Sequence, residues 1–275
     1  MAVFFPPTST DAGAQFTFTA SGDSMVLLLG RTLGSTSGAA IGFGVFTDVE
    51  ITVVGTLVSS AEIRLPTNSS FSLAAGASFL SFEPGAGNSG LFLNGANSLA
   101  QINGTLSALE TIGILSSAGG SNTVTVTGTG TVSAASGVFL GLSGGAGDIL
   151  VNAGSITANA VDDANGNTRR NNAAFTEGAN TSITNLAGGT LTATSSQGNG
   201  VRVGAGGNGS VVTNHGTITS IYAPGVDFST VGALSTARLI NTGLIQGAAL
   251  SFNGNDGGTY TILNSGHMIG GVFLG

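Results

Sequence analysis

The chain has 275 residues, of which 41% are hydrophobic and only 7% are charged, a balance that excludes an intrinsically disordered protein. Its six cations are all arginines, and with 13 acidic residues the net charge is −7, which disfavours nucleic acid and anionic membrane surfaces as partners. The longest apolar run, Met25 to Leu29, is too short for membrane insertion, and the absence of cysteine excludes disulfides and thiolate metal sites.

Residues 1–40 differ from the rest of the chain because they contain no repeated motif. Two strands are predicted there, Phe16 to Ala20 and Met25 to Gly30. We predict that this segment forms an N-terminal β cap for the repeats that follow, since an uncovered end would expose unpaired backbone groups. The alternative is a segment that docks on another subunit. The first residues lack a basic region followed by an apolar core, so no cleavable export signal is predicted.

From residue 41 to residue 275, two motifs alternate at one period. The first is a β-branched strand, a glycine and a second short strand, as in VEITVVGTLVSS from Val49 and TVTVTGTGTVSA from Thr123. The second falls between successive copies of the first, as in GVFL from Gly137. The anchoring glycines, mostly about 21–28 residues apart with one interval of about 35, are Gly55, Gly76, Gly104, Gly130, Gly154, Gly189, Gly216, Gly243 and Gly266.

This repeat predicts an all-β fold, a parallel β-solenoid (β-helix). A strand of four or five residues cannot bury a core alone, so neighbouring repeats must cover it. Turns rich in glycine and asparagine supply the positive φ that sharp corners need. We predict about nine to ten rungs of roughly 23–27 residues, with the cap over residues 1–40 and the solenoid over residues 41–275. A β-sandwich, the alternative, would not repeat one glycine at one phase.

Asparagines support the stacking in register. Asn152, Asn214, Asn241 and Asn264 each lie two residues before the glycine of their repeat. Parallel rungs would bring the last three together, so we predict a ladder of side-chain amides that hydrogen-bond along the solenoid axis.

The second motif predicts an interaction surface. Alternation places Val201 and Val203 inward and Arg202 outward, and Asp227 takes the same position one rung later, which predicts an exposed ion pair. The apolar residues at this position would then form an outward stripe that marks an interface. They are Phe92, Leu115, Phe139, Phe175, Leu250 and Phe273. The alternative is that the first 40 residues fold over the stripe.

Three features bear on chemistry. The stretched repeat carries Asp162, Asp163, Arg169 and Arg170. They are predicted to lie in a solvated surface loop, and the sharper hypothesis is that they bind a sugar acid.

The carboxylates form no column with two or three on one face and the chain has no lysine base, so an enzyme is not predicted. Residues 144–148 and 254–258 resemble fragments of the calcium-binding RTX nonapeptide, but each has one Asp, so no cofactor is predicted and calcium remains the open alternative.

The pattern in LVNAGSITA, VVTNHGTITS, LINTGLIQG and ILNSGHMIG resembles exported bacterial β-helix proteins, such as filamentous-haemagglutinin-like adhesins and autotransporter passenger domains. The resemblance covers about residues 41–275 but lacks an export signal at the N-terminus, which a type I-secreted protein related to the RTX group would explain. It implies an extracellular or cell-surface protein for adhesion, matrix or fibre building.

We therefore expect a structural β-solenoid whose partner is itself, as a homopolymer joined laterally or end to end. The sequence stops in mid-rung after GVFL, so we expect either a longer native chain or an end that stacks on another molecule. The alternative function is a carbohydrate-binding or polysaccharide-cleaving β-helix with an extracellular glycan as its partner.

Overall fold

The structure, a computed structural model, describes residues 1–82, 88–117, 119–159, 171–232, 234–254 and 258–274. Its regular elements are short strands, with a single 3₁₀ turn among the described residues at Leu142–Gly144. In chain order the strands are β1 (Val3–Phe4), β2 (Ser9–Ala12), β3 (Phe16–Thr17), β4 (Ser24–Leu27), β5 (Thr32–Ser37), β6 (Ile41–Gly42), β7 (Glu50–Val53), β8 (Thr56–Ser59), β9 (Ile63–Leu65), β10 (Ser70–Leu73), β11 (Ser78–Ser81), β12 (Ser89–Leu93), β13 (Leu99–Ile102), β14 (Thr105–Ser116), β15 (Thr123–Val126), β16 (Thr131–Leu140), β17 (Ile149–Asn152), β18 (Ser155–Ala158), β19 (Ala174–Thr176), β20 (Ser182–Asn185), β21 (Thr190–Ala193), β22 (Val201–Val203), β23 (Ser210–Asn214), β24 (Thr217–Ser220), β25 (Val226–Asp227), β26 (Thr236–Asn241), β27 (Leu244–Asn253), β28 (Thr259–Asn264) and β29 (His267–Phe273).

The strands stack in parallel into three faces of a solenoid. Face A is an eleven-stranded sheet in the order β1-β4-β7-β10-β13-β15-β17-β20-β23-β26-β28. Face B contains β2, β5, β8, β11, β18, β21 and β24, and face C contains β9, β12, β19, β22 and β25. The longer strands β14, β16, β27 and β29 each run from face B into face C. The predicted all-β parallel β-solenoid is confirmed, with about nine turns.

Alternation along each short strand places one side chain in two inside the coil. In β15, Val124 and Val126 are fully buried, while Thr123 and Thr125 point outward and are half-buried. The same pattern in rung after rung builds one continuous interior of Leu, Ile, Val and Phe. Each such buried side chain stabilises the fold by about 1.5–3 kcal/mol, which no isolated rung could obtain.

Residues 1–40 continue the sheets of the solenoid, and neither sheet breaks at residue 40. β1 pairs with β4 and β4 with β7 on face A, while β2 pairs with β5 and β5 with β8 on face B. The first rungs are rich in aromatic rings that contact one another. The Phe16 ring meets Phe18 edge-on at 5.0 Å between ring centres, and Phe18 stacks on Phe43 at 5.5 Å.

A buried carboxylate also ties down this end of the chain. The Asp23 carboxylate accepts hydrogen bonds from the backbone N–H of Ala2 at 2.9 Å and of Ala20 at 3.1 Å, and from the Thr19 hydroxyl at 3.2 Å. The bond from Ala2 is the largest cause of a lowered pKa for Asp23, and it outweighs the desolvation that would raise the pKa.

The recurring glycine lies at the corner between faces A and B, where successive backbones approach closely. A Cβ atom at Gly243 would lie 2.1 Å from the carbonyl oxygen of Gly216, and one at Gly216 would lie 2.2 Å from that of Gly189. The predicted stacking of these glycines is confirmed. Gly76 is the exception. In its four-residue corner Ala77 takes the stacked position, next to β11, and Gly76 has a φ of 78° in the turn before it.

The corner between faces C and A uses the left-handed backbone conformation. Residues at one position of seven successive rungs have φ between 54° and 73°. Asparagine, aspartate and glycine adopt this conformation at the lowest cost, which explains the composition of these turns. The seven residues are Asp48, Asn68, Asn97, Ser121, Gly147, Asn180 and Gly209.

The asparagine ladder is confirmed, and it is longer than predicted. The side-chain amides of Asn152, Asn185, Asn214, Asn241 and Asn264 form one chain, each Nδ2 donating to the next Oδ1 at 2.7–2.8 Å. Asn185 was missed because its turn to Gly189 is two residues longer than the others. In the five preceding rungs the same interior position is apolar, occupied by Leu27, Val53, Leu73, Ile102 and Val126.

Candidate interaction surfaces

Five of the six apolar residues assigned to the outward stripe share one column of face C. The column runs, rung by rung, through Arg64, Phe92, Leu115, Phe139, Phe175, Arg202, Asp227, Asn253 and Phe273. The assignment of Leu250 is wrong. Leu250 pairs with Gly271, and Asn253 takes the column position, because β27 has two register irregularities between Gln246 and Phe252.

The column points away from the interior, yet most of its apolar part is covered. Leu115, Phe139 and Phe175 are only 2–3% exposed, and with Ile112 they form a hydrophobic cluster separate from the main core. The expected exposed stripe is therefore absent at these three positions, and of the six only Phe273 is exposed. The strands of residues 1–40 stack beneath β7 and β8 instead of crossing this column.

An arginine lies at each end of the apolar part. The Arg64 guanidinium lies 5.6 Å from the centre of the Phe92 ring and pairs with Glu62. At the other end the Arg202 guanidinium lies 5.8 Å from the centre of the Phe175 ring. Stacking of a guanidinium on a ring face combines cation–π attraction with burial of the ring. Each arginine thus closes one end of the outer cluster.

The predicted ion pair between Arg202 and Asp227 is present, with Nε and Oδ2 3.6 Å apart. It is largely buried instead of exposed, since the two side chains are 16% and 9% exposed. The other carboxylate oxygen of Asp227 accepts hydrogen bonds from Asn253 Nδ2 and from the backbone N–H of Ser229, both at 3.0 Å. These contacts hold the pair in place within the column.

A groove of about 500 Å³ opens beside the N-terminal end of this column. Its polar walls come from Glu62, Arg64 and Asn94, and its apolar floor includes Ile41 and Phe43. The Glu62 carboxylate pairs with the Arg64 guanidinium and accepts a hydrogen bond from the Ser89 hydroxyl, so it already has partners within the fold.

The residues assigned to the insertion loop, Asp162, Asp163, Arg169 and Arg170, lie outside the described residues. So do residues 255–257 of the second calcium-like turn. In the first such turn, the fully buried Asp148 carboxylate accepts bonds from the Ser116 hydroxyl at 2.6 Å and from the backbone N–H groups of Asn122 and Gly141 at 2.8 and 2.9 Å. Asp148 therefore closes turns of neighbouring rungs. No three or more His, Cys, Asp or Glu side chains in the described ranges are grouped so as to hold a metal ion.

The outer surface of face A is a regular surface that sequence reasoning overlooked. It is visible in the sequence as the positions that alternate with the inward ones. One of its two columns carries one acidic and one basic residue, Glu50 and Arg238, with no charge on the six rungs between them. Leu99 and Ile149 within it are both 39% exposed. This part of the column runs through Glu50, Ser70, Leu99, Thr123, Ile149, Ser182, Val211 and Arg238. The column continues to Ser24 beyond Glu50 and to Thr261 beyond Arg238. The second runs through Thr52, Ser72, Gln101, Thr125, Val151, Thr184, Thr213 and Ile240.

Face B has an uncharged stretch on its outer side. Over five successive rungs it presents two columns of hydroxyl side chains in register: Thr105, Thr131, Ser155, Thr190 and Thr217, and beside them Ser107, Ser133, Thr157, Thr192 and Thr219.

Among the residues that the structure describes, no helix has the length and apolar character needed to cross a membrane. Comparison with family models, with curated proteins and with solved structures found no match to this chain.

Proposed function

We propose that the chain is a non-catalytic structural protein that self-associates outside the cell or at its surface, to build fibres, matrix or an adhesive layer. The extracellular location follows from the resemblance of its repeats to exported bacterial β-helices. The stacked fold supports a mechanical role, since about nine turns spaced by ~4.8 Å make a rod on the order of 43 Å long.

The observation that carries self-association is the outer surface of face A. Two sheets that pack face to face lie about 10 Å apart, and uncharged side chains fill the space between them. β-Branched and hydroxyl side chains are typical of such contacts. Between Glu50 and Arg238, face A offers such side chains over six consecutive strands, with Leu99 and Ile149 partly exposed. Face A thus replaces the covered phenylalanines of face C as the proposed lateral contact.

A charge placed in the middle of face A is expected to weaken self-association. Sedimentation velocity over a range of protein concentrations, with electron microscopy of the same samples, would measure assembly of the unchanged chain and of Ile149→Lys. Because Ile149 points outward at 39% exposure, lysine there should leave the fold intact while placing an unpaired charge in the contact. Thr157→Lys on face B is the matched control, expected to assemble as the unchanged chain does.

A chain that stays monomeric at every concentration would contradict the proposal. If that monomer bound polysaccharide, and lost the binding on changing Arg169 and Arg170 to alanine, the carbohydrate-binding alternative would be favoured instead.

A further inference from the structure

We propose that two copies of the chain pack face A against face A in antiparallel orientation, so that Glu50 of each copy pairs with Arg238 of the other. This inference rests on the proposed self-association and specifies its geometry. It commits to a second copy of this chain as the occupant of face A.

The two charged residues lie in the same outward column, seven rung steps apart. Both are exposed, and within the described residues neither has an oppositely charged side chain in contact. Glu50 accepts one hydrogen bond, from the Ser24 hydroxyl at 3.3 Å. Face A therefore carries, near one end, an anionic side chain without a counter-ion and, near the other end, a cationic side chain without one.

Two-fold symmetry turns this separation into complementarity. A two-fold axis parallel to the strands places each column of one copy opposite the same column of the other copy, with the order of rungs reversed. The Glu50 rung of each copy then faces the Arg238 rung of the other, which gives two such contacts in one dimer. The intervening rungs then meet as uncharged pairs, such as Leu99 with Ser182 and Thr123 with Ile149. A parallel arrangement would set each column against the other one and leave all four charges without partners, at a desolvation cost.

The surface around Arg238 has room for the incoming side chain. A depression of about 290 Å³ surrounds it, lined by Ser210, Val211, Thr236 and Thr261 among others. Thr236 and Thr261 are exposed, and their hydroxyl groups would hydrogen-bond a carboxylate that enters beside the guanidinium.

The size of the contact predicts a weak dimer. Seven rung steps of ~4.8 Å and four strand residues of ~3.3 Å give roughly 450 Å² per copy, or on the order of 900 Å² in total. That lies at the low end for specific interfaces, so we expect dissociation constants in the micromolar range. The two ion pairs then determine the orientation more than the affinity.

Charge reversal at the two positions, singly and together, tests this geometry by sedimentation velocity. Glu50→Arg alone and Arg238→Glu alone each create two like-charge contacts per dimer, and each should raise the dissociation constant by about 100-fold. The double variant exchanges the charges and should return the constant to within about threefold of the unchanged chain. Glu110→Arg and Arg31→Glu make the same charge changes at exposed positions outside face A, and they should leave dimerisation unchanged.

Two other results would overturn the inference and are distinguishable. If the chain associates but the single variants do not weaken it, or the double variant does not restore it, the antiparallel face A contact is wrong while self-association stands. If the unchanged chain does not associate at all, the proposed function fails together with this geometry.

Discussion

Gly130→Ala is expected to destabilise the protein by about 3 kcal/mol, because its new methyl group has no space. A Cβ atom at Gly130 would lie 2.1 Å from the carbonyl oxygen of Ile102 in the adjacent rung and 2.9 Å from a methyl group of Val126. The carbonyl belongs to a hydrogen-bonded corner, so only separation of the two rungs would relieve the contact. Urea denaturation would measure the change in the free energy of unfolding.

Gly128→Ala is the matched control, two residues away in the same turn. A Cβ atom there meets nothing within 4 Å, and the backbone at Gly128 is not in the left-handed region. Its free energy of unfolding should change by less than about 1 kcal/mol, and alanine would even stabilise by restricting the unfolded chain. Equal costs for the two variants would mean that the rungs are not stacked as closely as described.

Asn185→Val is expected to cost about 2–3 kcal/mol, because it breaks the asparagine ladder in its middle. Asn185 Oδ1 accepts from Asn152, and Asn185 Nδ2 donates to Asn214 Oδ1, both at 2.8 Å. Valine would leave the fully buried Oδ1 of Asn214 without its donor from the ladder. Thermal or chemical unfolding of the purified variant would measure the loss.

Asn152→Val, the same substitution at the end of the ladder, should cost less than about 1 kcal/mol. The buried Oδ1 of Asn152 already has no partner, since the next position down is Val126. Valine removes that unpaired oxygen. It also removes the Nδ2 group that donates to Asn185 Oδ1, so Asn185 Oδ1 becomes unpaired instead and the number of unpaired acceptors does not change. A cost equal to that of Asn185→Val would contradict this account of the ladder.

The sequence predicts the stacking because the stacking constrains residue type directly. Gly216 and Gly243 recur because each corner passes over the carbonyl of the rung below, and Asn214 and Asn241 recur because each amide needs a neighbour of the same kind. Both constraints act between equivalent positions of adjacent rungs. The same residue type therefore recurs once per rung, and this repeat is visible in a single sequence.

What the sequence did not predict depends on the exact length of each corner and on what covers a side chain. Two extra residues after Asn185 hid it from a pattern defined by distance to the glycine, and the irregular register of β27 moved Leu250 out of its expected column. The outward direction of Phe139 and Phe175 followed from alternation, but their burial arises from a second cluster that periodicity does not encode. Residues 1–40 lack the motif but still pair in register, because strand pairing needs backbone groups and not a particular sequence.

The central claim is that equivalent positions of consecutive rungs lie directly above one another, and engineered disulfide formation tests it most directly. The chain has no cysteine, so an introduced pair is free of competing thiols. Thr192 and Thr219 are register partners on the outside of face B, about 4.8 Å apart between Cα atoms, whereas Thr192 and Thr217 are offset by two residues and about 8 Å apart. Because a disulfide requires Cα atoms within about 7 Å, mild oxidation should join Thr192→Cys to Thr219→Cys but not to Thr217→Cys. Equal cross-linking of both pairs, or cross-linking of the offset pair alone, would contradict the register on which every surface described above depends.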